Sequence, residues 1–71
     1  MNGYDRRELA RIDARMRQAT FQIGMLRGGS GALMADADVG LRAEYVAALA
    51  RDAALLADRL ARRAARRRAS A

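Results

Sequence analysis

Two runs of apolar residues spaced by threes and fours, separated by one glycine-rich interruption, leave this chain few ways to fold. Before the interruption, Leu9, Ile12, Met16, Ala19, Ile23 and Leu26 recur at the spacing of a helix face packed on another helix. After it, Val39, Val46, Leu49, Ala53, Leu56 and Leu60 do the same, with Arg42 standing where a further apolar residue would fit. Between them, Gly28-Gly29-Ser30-Gly31 places three glycines in four positions. That density raises the backbone entropy a helix would have to remove, and it permits positive φ angles.

Composition supports the same reading. The chain has no proline, and 18 of its 71 residues are alanine, the residue that enters a helix at least cost. These features predict an all-α fold: one antiparallel two-helix hairpin of coiled-coil type, a single domain over 1–71. Helix 1 is expected over about 4–27, a glycine-rich turn over 28–37, and helix 2 over about 38–67, with an arginine-rich extension over 59–71. Asn2 or Asp5 is a candidate cap for helix 1, and Asp5 and Glu8 favour the positive end of its dipole. Asp36 and Asp38 are candidate caps for helix 2, and Asp38 has the helpful i,i+4 polarity towards Arg42. Ala50, Ala57 and Ala64 flank the second seam, where small residues allow close helix approach.

A chain this short needs disulfides, a metal, idealised helix packing or a partner subunit to be stable. Cysteine and histidine are both absent, which leaves helix packing and self-association. Phe21 and Met25 fall on the outer side of helix 1, Leu41 and Tyr45 widen the apolar face of helix 2, and Leu33 and Met34 lie in the connection. Two helices cannot cover all of these. The expectation is a protein interface at Phe21, Met25, Leu41 and Tyr45, with a homodimer forming a four-helix bundle.

Charge is distributed unevenly. Residues 1–58 carry eight arginines and eight acidic residues, so the net charge of +6 comes from Arg59, Arg62, Arg63, Arg66, Arg67 and Arg68. In an antiparallel hairpin this stretch lies beside Arg6, Arg7 and Arg11 at the start of helix 1. Arg63 and Arg67 continue the second seam, and they are expected to project past helix 1 on an overhang on the order of 10 Å. Part of this charge complements the dipole of helix 2. The remainder either solubilises the helix end or is the expected electrostatic footprint of a partner such as nucleic acid or another polyanion, and all nine arginines are candidate phosphate contacts. No helix-turn-helix spacing or aromatic platform accompanies them, so binding is expected to be insensitive to base sequence. The exclusive use of arginine over lysine fits GC-rich bacterial, phage or plasmid coding.

Nothing points to catalysis. Ser30 and Ser70 have no histidine or lysine to activate them, and the glycine cluster lacks the lysine of a P-loop. Asp36 and Asp38 supply too few oxygens for a calcium loop. No catalytic residue, metal, cofactor or small-molecule substrate is expected. The stretch Leu9-Ala10-Arg11-Ile12-Asp13 resembles the first helix of helical-bundle chorismate mutases, whose sites use a lysine and a third helix that this chain lacks. In architecture the expected hairpin resembles plasmid RNA-binding hairpin dimers, without a shared motif. The N-terminus is polar and no apolar run approaches the roughly 18 residues of a membrane span, so a cytoplasmic location is expected. The functional expectation is a self-associating, non-enzymatic accessory or regulatory factor with an arginine-rich helix on nucleic-acid phosphates. The alternative is a protein–protein adaptor or assembly subunit that docks through its apolar patch.

Overall fold

The structure, a computed structural model, describes residues 1–28 and 35–70. Two α-helices, α1 over Gly3–Arg27 and α2 over Asp36–Ser70, account for nearly all of them, and no strand occurs among the described residues. The helices run antiparallel. Arg67, near the end of α2, reaches Asp5 at the start of α1, while Arg42, near the start of α2, reaches Gln22 towards the end of α1. The all-helical hairpin read from the sequence is therefore present. It is a rod of 56 × 16 × 13 Å whose long dimension is close to the ~52 Å of α2 alone. No helix among the described residues is long and apolar enough to cross a membrane.

Local chemistry sets the helix ends. The Asn2 side chain accepts a hydrogen bond from the Asp5 N–H at 2.8 Å, so Asn2 is the cap and the Asp5 carboxylate is left for another partner. At the other end of α1, the Gly28 N–H donates to the Gly24 carbonyl at 2.8 Å. A Cβ on Gly28 would lie 2.9 Å from that oxygen, so crowding demands glycine here although φ is an ordinary −72°. The expected turn at Gly29, Ser30 and Gly31 lies outside the described residues, as do Leu33 and Met34. Helix α2 starts earlier than expected: the Ala35 carbonyl accepts from the Asp38 and Val39 N–H groups at 2.9 and 3.0 Å. Asp36 and Asp38 therefore stand inside its first turn, where they complement the dipole without capping it. The expected Asp38–Arg42 pair does not form, because Arg42 turns inward to Gln22.

The face that α1 turns to its partner also differs from the expected one. Asp5, Glu8, Ile12, Arg15, Ala19, Gln22 and Leu26 are buried or half-buried along the seam, whereas Leu9, Met16 and Ile23 remain 38%, 50% and 41% exposed. The reason lies on α2, whose seam runs Arg42, Val46, Leu49, Ala53, Leu56, Leu60, Arg63 and Arg67. Three guanidinium groups on that line require polar partners, and a Leu9–Met16–Ile23 face would leave them desolvated and unpaired. Rotating α1 to present Asp5, Glu8 and Gln22 satisfies them. The apolar core is correspondingly thin, since Ala19 and Ala53 are the buried apolar residues among those described.

Candidate nucleic-acid interface

The basic pole is built where the end of α2 passes the start of α1. Asp5, 1% exposed, accepts from Arg67 Nη2 at 2.6 Å through Oδ2 and lies 3.4 Å from Arg63 Nε through Oδ1. Glu8, 4% exposed, lies 3.3 Å from Arg63 Nη2, an ion pair in which its Oε1 has no aligned hydrogen bond. The Arg63 guanidinium also stands 4.6 Å from the centroid of the Tyr4 ring, a cation–π contact that covers its outer face.

This geometry corrects the expected overhang. Arg63 and Arg67 do not extend past α1 into solvent; they close the seam against two carboxylates that α1 aims at them. The matching signal was present in the sequence. Asp5 and Glu8 extend the α1 series back from Ile12 by intervals of four and three, and Arg63 and Arg67 extend the α2 series beyond Leu60 by three and four. Opposite charges at the meeting ends of two antiparallel seams are mutually compatible, whereas either set alone looks unfit for an interface.

The nine candidate arginines therefore fall into two groups. Arg63 and Arg67 are held by Asp5, and Arg62 pairs with Asp58 at 2.7 Å on the surface of α2. Arg6, Arg7, Arg11, Arg59, Arg66 and Arg68 form no ion pair among the described residues and are exposed. Of these six, Arg59 and Arg66 lie one heptad apart on one flank of α2, and Arg11 occupies the facing flank of α1. Two contacts establish that these flanks share a side of the hairpin: Tyr4, one heptad before Arg11, covers Arg63, and Arg15 lies 3.8 Å from Asp52, one heptad before Arg59. An open depression lined by Arg15, Asp52, Leu55, Leu56 and Arg59 runs along the same side.

At the opposite end, Phe21, Leu41 and Tyr45 are exposed at 58%, 65% and 45%, and Met25 is half-buried. Among the described residues, no group of three carboxylates gathers where it could hold a metal. Compared with known proteins, the chain matches no family model, no curated sequence and no solved structure.

Proposed function

We propose that this chain is a self-associating, non-enzymatic binding protein whose basic pole contacts nucleic-acid phosphates without reading bases. The observation that carries this reading is the gathering of exposed, carboxylate-free arginines at one end of an otherwise charge-balanced rod, with Arg11, Arg59 and Arg66 on one side of it. Guanidinium groups fixed on two rigid helices offer forked donors to phosphate oxygens, and neutralising those phosphates releases counterions. Arg7 and Arg68 extend the same pole, with Arg6 at its edge. Asp5 and Glu8 occupy Arg63 and Arg67, which makes those two arginines supports of the pole.

The test is fluorescence anisotropy of a labelled mixed-sequence oligonucleotide, single- and double-stranded, at two salt concentrations. The full chain is compared with an Arg11→Ala, Arg59→Ala, Arg66→Ala variant. A truncation within α2 before Arg63 is the poorer control, since it removes seam contacts along with charge. The expected result is binding that falls steeply with salt and weakens by at least about tenfold in the triple variant. Absence of binding at low salt defeats the proposal. The exposed Phe21, Leu41 and Tyr45 then favour the adaptor reading, in which that patch docks on another protein.

A further inference from the structure

The apolar stripe of α1 is wider than the contact it makes. Ile12, Ala19 and Leu26 face α2, while Leu9, Met16 and Ile23 form a second line, one residue every heptad, that the hairpin covers only in part. Beside that line, α2 presents a surface of small residues only: Gly40, Ala43, Ala47, Ala50, Ala54, Ala57 and Ala61 are all exposed. A ridge of large side chains next to a flat strip of small ones is self-complementary, because the ridge of one copy can lie on the strip of another.

From this juxtaposition we infer that a second copy of the chain docks on this flank, with α1 of each protomer antiparallel along α2 of its partner. The inference rests on the self-association proposed above and assigns it a face and a register. A two-fold axis along the rod relates the two hairpins, so α1 meets the α2 of the second copy in the register it has within its own hairpin, where Tyr4 meets Arg63 and Arg15 lies by Asp52. That register seats Leu9 between Ala57 and Ala61, Met16 between Ala50 and Ala54, and Ile23 between Ala43 and Ala47.

Surface area gives the same answer. The chain exposes 5435 Å², about 1,100 Å² more than the roughly 4,300 Å² that a compact monomer of 7.7 kDa presents. A standard interface takes about 800 Å² from each partner. In the paired arrangement the stripe Leu9, Ile12, Met16, Ala19, Ile23 and Leu26 becomes the centre of a four-helix bundle, half of it used within each hairpin and half between hairpins. The two basic poles then lie at the same end, and the Arg11–Arg59–Arg66 side of each remains open.

Sedimentation equilibrium of the full chain tests the inference, with Ala47→Glu and Met16→Glu as breaking variants and Phe21→Ser with Tyr45→Ser as the control. Ala47 is exposed in the hairpin and glutamate is a good helix former, so Ala47→Glu spares the single hairpin. The expected result is a dimer whose Kd rises on the order of a hundredfold in either glutamate variant and is unchanged in the control. A monomeric full chain overturns self-association altogether. A dimer that survives both glutamate variants, or dissociates only in the control, overturns this face and leaves self-association standing.

Discussion

Along one flank of the α1–α2 seam stand Leu9, Met16 and Ile23 beside Ala43, Ala50, Ala57 and Ala64. Along the other stand Tyr4, Arg11, Gln18 and Met25 beside Tyr45, Asp52, Arg59 and Arg66. The first flank is apolar throughout, while the second is polar and becomes basic towards the pole. Charge in this molecule is therefore segregated from side to side as well as from end to end. A two-helix rod has no interior large enough to hide its function, so its flanks are its working surfaces. In the function proposed above, this opposite chemistry assigns one flank to a second copy and the other to a polyanion.

The comparison is broken most severely at the seam between the flanks. Asp5→Ala strands Arg67 and leaves Arg63 with Glu8 alone, and it is expected to lower stability by about 2–3 kcal/mol in urea denaturation followed by circular dichroism at fixed protein concentration. The released Arg67 guanidinium joins the basic pole, so oligonucleotide affinity should rise as stability falls. If both fall together, the seam arginines belong to the fold alone.

A smaller effect is expected from the basic flank itself. Arg59→Ala with Arg66→Ala should weaken oligonucleotide binding by about tenfold and reduce the salt slope by about two, leaving the Tm unchanged. A large drop in Tm would mean that the flank also carries structure.

At the loop end, the polar pair Gln22–Arg42, joined at 2.8 Å, occupies seam positions that apolar residues could fill. Gln22→Leu with Arg42→Leu should stabilise the hairpin by about 1 kcal/mol, because the desolvation of both groups is removed together. The smallest effect belongs to Arg17→Ala. Its 2.8 Å pair with Asp13 is largely exposed, and thermal melts should shift by no more than the equivalent of ~0.5 kcal/mol.

Much of the fold was legible because its cause is local. Apolar spacing by threes and fours, alanine content and the glycine cluster specify two helices before any tertiary contact forms. The charge imbalance was legible for the same reason, since it is a property of composition along the chain. The basic pole was legible as a place, although its division into supporting and exposed arginines was not. Arg62, Arg63 and Arg67 look no different in sequence from Arg59, Arg66 and Arg68, and only the carboxylates that meet them separate the two groups.

By itself, the sequence determined two amphipathic helices, their antiparallel pairing and the concentration of arginine at one end. Only the tertiary structure decided how α1 is rotated about its own axis. Leu9, Met16 and Ile23 satisfy helical periodicity as well as the residues that face α2 do, so periodicity cannot choose between them. The choice is made by desolvation across the seam, where Arg42, Arg63 and Arg67 on α2 require Gln22, Glu8 and Asp5 opposite them. That requirement joins residues far apart in the chain, and it turns the large apolar residues of α1 outward.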